Sequence, residues 1–186
     1  MSVTTLDRKT ALVLIDLQKG IAAMATAHPM PEIIARSAAL ADAFRKRDLP
    51  VDLVNVSGGA PGRTQEVRNM SGMPADWTEL VPELGAQASD HRVTKKTWGA
   101  FTGTDLEYYL KNQGVTQIVL AGVATSIGVE STARYAYEYG FNITLAVDAM
   151  TDRNPQAHAN SVELIFPRLG ETGTTDEIIV LLDKRS

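Results

Sequence analysis

The sequence lacks cysteine, a surplus of basic residues and any long apolar run. Without cysteine the chain forms no disulfide, no thiolate metal site and no cysteine nucleophile. Its 18 Lys and Arg residues are outnumbered by 22 Asp and Glu residues, for a net charge of −4, which argues against nucleic-acid binding. The most apolar stretches, Ala11–Ile15, Ile118–Ala124 and Ile178–Leu182, are far shorter than the roughly 20 residues that span a bilayer. The first ten residues lack the apolar core of a signal peptide, so we expect a cytoplasmic protein with no membrane partner.

The composition is that of one globular domain. The chain has 186 residues, and domains average roughly 150. Hydrophobic residues make up 44% of the chain and charged residues 22%, close to the usual proportions of globular proteins. Because no internal repeat, low-complexity segment or linker interrupts the sequence, we predict a single domain over residues 1–186.

Short apolar runs alternate with longer amphipathic segments along the chain. The pattern predicts strands at 11–15, 51–56, 91–95, 117–123 and 142–147, with a sixth after residue 170. It predicts helices at 31–47, 104–114, 127–139, 155–166 and 176–183. Alternating strands and helices indicate parallel pairing with right-handed crossovers. The expected fold is therefore α/β, a three-layer α/β/α sandwich around a six-stranded, mostly parallel, Rossmann-like sheet.

Two local features refine this prediction. Thr104 and Glu107 have the spacing of a capping box, which would start the helix that ends at Gly114. Residues 57–90 are rich in Gly, Pro and Ser and have no strong periodicity. Because so long a segment is unusual for a structureless loop, we expect short helical turns near 77–84 and a role in covering a site.

Candidate functional residues follow the predicted strands. Asp16 ends the first strand, Lys95 ends the third, and residues 122–128 connect the fourth strand to its helix. Ligands of open parallel sheets bind at the carboxyl ends of the strands, where the strand order reverses. Taken singly, however, Asp16 is more often a solvated strand end or helix cap, and Lys95 a surface charge.

Several ordered motifs together make the chain resemble a known family. They are residues 11–18 (ALVLIDLQ), 95–106 (KKTWGAFTGTDL), 122–136 (GVATSIGVESTARYA), 148–150 (DAM) and 165–170 (IFPRLG). This order resembles the isochorismatase-like hydrolases, which include nicotinamidases and N-carbamoylsarcosine amidases. The resemblance covers about residues 10–182.

The resemblance implies which residues react. The usual aspartate, lysine and cysteine of the family fall on Asp16, Lys95 and Gly128, so the nucleophile is missing and a covalent thioester mechanism is excluded. Isochorismatases within the family also have glycine at this position. For them the implied reaction is protonation of the vinyl carbon of an enol ether by the aspartate, followed by attack of water. We therefore expect Asp16 to act as a general acid and base, assisted by Lys95.

The turn after the fourth strand carries further implications of the resemblance. A cis peptide is implied at Val123–Ala124, and the backbone at Ala124 and Gly128 would face a substrate oxygen. Thr125 and Ser126 are offset from the missing nucleophile, so we expect them to hydrogen-bond groups at the start of the helix. True isochorismatases have bulkier Tyr-Ala-His where this chain has Ala-Thr-Ser at 124–126. Isochorismate itself is therefore not predicted as the substrate.

Substrate-binding candidates lie nearby in sequence. Arg63, with Arg68, is placed to bind a substrate carboxylate, although residues 58–63 are equally well explained as a flexible connection. Trp98 and Phe101 are candidate pocket walls or simple packing residues.

We predict no metal and no cofactor. The three histidines, His28, His91 and His158, are scattered along the chain, and no phosphate-binding motif is present.

The sequence thus predicts a hydrolase of a small, anionic molecule that works without a cysteine nucleophile. Its partner is a small-molecule substrate, and the resemblance implies a homo-oligomer. Two alternatives stay open. The chain could be a non-catalytic binding or structural relative, or Gly128 could be an engineered replacement for a catalytic cysteine.

Overall fold

The computed structural model describes residues 2–65 and 72–184, so the candidate Arg68 lies outside the described residues. The strands are β1 (Thr10–Ile15), β2 (Val51–Val56), β3 (His91–Lys95), β4 (Gln117–Val123), β5 (Asn142–Thr151) and β6 (Glu171–Gly173). The α-helices are α1 (Lys19–Ala22), α2 (Met30–Arg45), α3 (Leu106–Asn112), α4 (Glu130–Glu138), α5 (Pro155–Asn160) and α6 (Thr175–Asp183). Within these ranges no helix is long and apolar enough to cross a membrane.

The six strands form one parallel sheet in the order β3-β2-β1-β4-β5-β6. The predicted α/β fold is confirmed, and the sheet is parallel throughout. Strand order reverses at β1, where Ile15 pairs with Val54 of β2 on one side and Gly122 of β4 on the other. This reversal opens a crevice at the carboxyl ends of the central strands, which is the usual ligand site of such sheets.

Helices bury both faces of the sheet, and β1 shows why residues 11–15 are all apolar. Leu12 and Leu14 contribute to the core that α2 and α6 cover, whereas Val13 and Ile15 contribute to the core under α3 and α4. Successive side chains of a strand point to opposite faces, so in a strand covered on both faces neighbouring apolar residues are buried in opposite layers. The core therefore consists of two apolar layers with the sheet between them.

The predicted capping box at Thr104 is wrong. Helix α3 begins at Leu106, and the Thr104 hydroxyl donates to the carbonyl oxygen of Ala100 at 2.5 Å. The same hydroxyl accepts a hydrogen bond of 3.4 Å from the Leu106 N–H, but the residue at the N-cap is Asp105 and its side chain makes no cap hydrogen bond. A capping box forms instead at the start of α6, where Thr174 and Glu177 satisfy each other's backbone N–H groups.

Three predicted elements differ from the structure in kind or by more than two residues at an end. Strand β5 continues to residue 151 rather than ending at 147, with a register irregularity against β4. The predicted helix at 127–139 begins with a wide π-helical turn over Thr125–Val129. The helix predicted at 155–166 passes into a second π-helical turn, Ser161–Ile165, and ends in a 3₁₀ turn, Phe166–Arg168.

Candidate active site

Asp16 directly follows β1 at the point where the strand order reverses. Its backbone has a φ of 53°, a left-handed conformation that aspartate tolerates better than most residues. The residue is only 5% exposed, and its N–H donates to the carbonyl oxygen of Val54 at 2.9 Å. The end of β1 thus places a carboxyl group inside the crevice.

Lys95, the last residue of β3, reaches the same carboxyl group. Its Nζ donates to Asp16 Oδ2 at 2.7 Å and to the carbonyl oxygen of Thr97 at 3.2 Å. Lys95 is 2% exposed, so both partners are withdrawn from water. The structure therefore brings together the two residues that the sequence singled out 79 positions apart.

Burial controls the protonation of this carboxyl group. Desolvation raises the pKa of Asp16 to about 6, against the charge and hydrogen bond of Lys95, which lower it. Asp16 Oδ1 is buried and has no hydrogen-bond partner among the described residues. With a pKa near 6, about one carboxyl in ten stays protonated at pH 7. Asp16 can therefore donate as well as accept a proton near neutral pH.

A cavity of about 420 Å³ lies over this pair, within the size range of small-molecule sites. Asp16, Lys95 and Gly128 line it together with Trp77 and Trp98, the two tryptophans of the chain. Its remaining walls are mainly apolar and include Ile21, Met24, Met73 and Ile127. A cavity of this kind suits a compact organic molecule with few polar groups.

From the described parts of the long segment after β2, Gly58, Met73 and Trp77 line this cavity, and Gln18 bonds the backbone at Trp77. Gln18 is fully buried; its Nε2 donates to the carbonyl oxygens of Val56 and Trp77, and its Oε1 accepts from the Val56 N–H. Gly20 allows the close approach, because a Cβ there would lie 2.8 Å from the Trp77 Cβ. Sequence reasoning did not single out Gln18 as a site residue. Its position two residues after Asp16, within the first motif, could have indicated that it lies near the site.

Gly128, where the resemblance places the family's cysteine, lies beside the Asp16 carboxyl group. A Cβ on Gly128 would lie 3.3 Å from Asp16 Oδ2 and 2.9 Å from Ile15 Cγ2. Ala124 lines the same cavity, and the peptide bond between Val123 and Ala124 is cis. Both backbone positions implied by the resemblance therefore border the space beside Asp16.

Two substrate-binding candidates are not among the described residues that line the cavity. Arg63 is exposed and is not among the described residues that line the cavity. Phe101 is buried in the core under α3 and α4, where its ring contacts Tyr139 and Phe141 with ring centroids 5.4 and 6.1 Å apart. Trp98 alone of the predicted wall residues lines the cavity. Proximity to Lys95 in sequence did not reveal that Phe101 turns towards the helices.

The hydroxyl groups of the turn after β4 have partners outside the cavity. Ser126 donates through both its N–H and its hydroxyl to Asp152 Oδ2, each at 2.8 Å. Thr125 Oγ1 lies 2.8 Å from His158 Nδ1, and the His158 ring packs edge-on against His28. Neither Thr125 nor Ser126 is among the described residues that line the cavity. Among residues 2–65 and 72–184 no three His, Asp or Glu side chains are grouped to hold a metal.

Arg153 lines the cavity, and sequence reasoning missed it. The sequence predicted that β5 ends at 147, so residues 152–153 were not expected at the edge of the sheet that holds Asp16 and Lys95. Because β5 continues to residue 151, it delivers Asp152 and Arg153 to the same edge as Asp16 and Lys95.

The isochorismatase domain model matches residues 10–177 of this chain. An uncharacterized isochorismatase family protein of Bacillus subtilis (strain 168), YwoC, is 44% identical over 179 residues, covering 92% of this chain and 93% of the relative. Another, YecD of Escherichia coli O157:H7, is 42% identical over 179 residues, covering 92% and 95%. A solved isochorismatase family structure from Burkholderia thailandensis has a TM-score of 0.94 at 39% identity, covering 98% of this chain and all of that one. The chain belongs to the isochorismatase family.

Proposed function

We propose that the protein hydrolyses a small anionic molecule without a cysteine nucleophile. Asp16 is the general acid and base in this proposal, and Lys95 assists it. The observation that carries it is the buried contact of 2.7 Å between Lys95 and Asp16, which lies in a cavity opposite a glycine. Membership of a hydrolase family supports the reaction class.

The chemistry that fits an acidic carboxyl group without a nucleophile is the hydrolysis of an enol ether. Asp16 gives its proton to the terminal vinyl carbon, which leaves a cation shared between the ether oxygen and its carbon. Water adds to that carbon and returns a proton to the Asp16 carboxylate. The resulting hemiketal breaks its bond to the ether oxygen and releases an alcohol and a ketone. One water is consumed, and Asp16 ends in its starting state.

Lys95 serves both halves of this cycle. Burial favours the neutral carboxyl group, whereas the Lys95 ammonium stabilises the carboxylate formed when the proton leaves. The two effects oppose each other and give the Asp16 carboxyl a pKa of about 6, near the pH at which it works. A general acid is most effective with a pKa close to the working pH.

The backbone at Ala124 and Gly128 is the proposed contact for a substrate oxygen. Both residues line the cavity beside Asp16. A backbone N–H facing a developing charge needs no rearrangement during the reaction, which is why such donors are effective.

A turnover panel tests the reaction class. Isochorismate and 2-methoxyacrylate are enol ethers whose hydrolysis releases pyruvate, and nicotinamide represents the amides. We expect pyruvate release from at least one enol ether and none from the Asp16→Asn variant. Hydrolysis of nicotinamide alone would overturn the mechanism. No turnover with any of the three would favour the non-catalytic alternative.

The fit around residue 128 bears on the engineered alternative. Any side chain there would have to displace the buried Ile15 side chain, because its Cβ would lie 2.9 Å from Ile15 Cγ2. This close contact supports glycine as the residue to which the surrounding core is adapted. The cytoplasmic location and the homo-oligomer stay predictions, the latter to be measured by light scattering after size-exclusion chromatography.

A further inference from the structure

Arg153 is a cation at the cavity that has no partner among residues 2–65 and 72–184. Its side chain is exposed, lines the cavity over Asp16, and makes no hydrogen bond or ion pair with the described residues. The charged side chains on other cavity walls differ in this respect, since Lys95 and Asp16 contact each other at 2.7 Å. The Arg153 guanidinium is therefore available to a ligand.

The backbone beneath Arg153 is firmly held. The neighbouring Asp152 is 3% exposed and accepts hydrogen bonds from Ser126 N–H, Ser126 Oγ and Asn154 N–H. These contacts connect the end of β5 to the turn that contains Gly128. A fixed attachment point limits where the long arginine side chain can reach, which lowers the entropy lost when it binds a ligand.

The charge of the cavity favours an anion. Among its described lining residues, the ionisable side chains are Asp16, Lys95 and Arg153. The first two balance when both are ionised, so Arg153 leaves the cavity with one net positive charge, and with two when Asp16 is protonated. An anionic group beside Arg153 would neutralise this excess. Arginine is well suited to carboxylates because its planar N–H groups form two parallel hydrogen bonds with them.

The walls favour an apolar body on the same molecule. Trp77 and Trp98 present aromatic surface, and Ile21, Met24, Met73 and Ile127 add aliphatic and thioether surface. Aromatic and apolar walls stabilise a flat or ring-sized group by burying its surface.

We propose that Arg153 determines substrate specificity by binding the carboxylate of a small molecule whose ring-sized apolar body lies between Trp77 and Trp98. This inference deepens the proposed function, since it names the class of molecule that the Asp16 site takes, but the binding step does not require turnover. The exposed Arg63, which the sequence suggested for this role, lies outside the described cavity lining.

Binding such an anion would also favour the reactive form of the acid. A negative charge brought into the cavity partly offsets the positive charge of Lys95, which otherwise holds Asp16 in its carboxylate form. The bound substrate therefore increases the protonated fraction of Asp16. Recognition by Arg153 and proton donation by Asp16 are coupled through charge.

Tryptophan fluorescence measures this binding directly, because both tryptophans of the chain line the cavity. The probes are benzoate and benzamide, which have nearly the same shape and differ in charge. We expect wild-type protein to bind benzoate about tenfold more tightly than benzamide, since charge-assisted hydrogen bonds are about twice as strong as neutral ones. Arg153→Gln should remove that preference and leave benzamide binding within about twofold.

Arg63→Gln is the matched control, with the same charge change at an exposed arginine that is not among the described cavity-lining residues. It should bind both probes as the wild type does, and thermal melting should show both variants folded. The inference is overturned if wild-type protein does not prefer benzoate, if Arg153→Gln retains the preference, or if Arg63→Gln abolishes it. A preference that depends on Arg153 without enol-ether turnover would support the inference while contradicting the proposed function. Enol-ether turnover together with binding that does not depend on Arg153 would support the proposed function and contradict the inference.

Discussion

Two aspartates, Asp16 and Asp52, are buried at opposite edges of the sheet. Asp16 follows β1 at the carboxyl edge, whereas Asp52 is the second residue of β2 at the amino edge. Each contacts one basic side chain: Asp16 lies 2.7 Å from Lys95 Nζ, and Asp52 lies 2.8 Å from His91 Nδ1. Each keeps one buried oxygen without a hydrogen-bond partner in the described chain. Burial raises the pKa of both carboxyl groups to about 6.

The two sites differ in what covers them. Asp52 is 0% exposed, and His91 joins it to Asp105 at the start of α3 while stacking on Tyr109 with ring centroids 3.8 Å apart. Asp16 instead lines an open cavity. A raised pKa alone therefore does not identify a catalytic acid, because burial raises the pKa of a structural carboxyl group as well. Access for a substrate separates the two.

The largest expected difference between these aspartates is in turnover. Asp16→Asn keeps the shape and removes the transferable proton, so turnover of the best enol ether should fall by roughly 10²–10⁴-fold. Asp52→Asn is the matched substitution, and it should leave turnover within about threefold while changing thermal stability. Equal losses of turnover in the two variants would place the effect in folding, and an active Asp16→Asn enzyme would remove Asp16 from the mechanism.

Removing the basic partner should raise the pKa of each aspartate. Lys95→Met removes a cation that favours the Asp16 carboxylate, and His91→Phe does the same for Asp52 while keeping a ring on Tyr109. A neighbouring charge shifts a pKa by about 1–3 units, so each carboxyl should titrate above 6 by that amount. Carbon-13 NMR of labelled aspartate carboxyl groups measures both.

The control for Lys95→Met is the neighbouring, exposed Lys96. Lys96→Met should leave the pKa of Asp16 unchanged. If the pKa of Asp16 falls or stays the same in Lys95→Met, then Lys95 is not the group that opposes the effect of burial.

A smaller effect that is confined to one of the two sites comes from Gly128→Ala. The added methyl group would press on Ile15 Cγ2 and lie 3.3 Å from Asp16 Oδ2, so Ile15 or the carboxyl group has to move. Overpacking of this kind costs about 1–3 kcal/mol of unfolding free energy, measured by urea denaturation. Gly59→Ala, where a Cβ meets nothing within 4 Å, should change it by less than about 0.5 kcal/mol. Equal stabilities in the two variants would contradict the tight packing beside Asp16.

Strand ends that depend on a local sequence pattern are predicted accurately, and these ends form the site. The ranges predicted for β2, β3 and β4 match the structure, and parallel pairing then brings the ends of β1 and β3 to one edge. Proximity of Asp16 and Lys95 follows from topology without any knowledge of side-chain contacts. The family motifs add which of the many strand ends matter.

What the sequence did not predict depends on distant partners. Asp148 interrupts the apolar pattern of β5, yet the strand continues because its carboxyl group accepts hydrogen bonds from Thr175 N–H and Oγ1 at the start of α6. The position of Arg153 at the cavity depends on that continuation. Similarly, Thr104 has the spacing of a capping box, but its hydroxyl donates to the Ala100 carbonyl oxygen and the N-cap of α3 is Asp105. Local patterns carry no information about such contacts.

The pH dependence of kcat/KM tests the central claim, that Asp16 acts as an acid, most directly. This quantity reports ionisation in the free enzyme, where the pKa of Asp16 is about 6. The proton donor exists below that pKa and is lost above it, so kcat/KM for the best enol ether should be constant at low pH and fall about tenfold per pH unit above about 6. The other charged side chains among the described cavity lining, Lys95 and Arg153, are cations. Lys95→Met and Arg153→Gln should therefore shift the pH at which kcat/KM begins to fall, but kcat/KM should still fall as the pH rises. A kcat/KM that rises through pH 6 to an alkaline plateau would show that the carboxylate is the active form and would contradict the account.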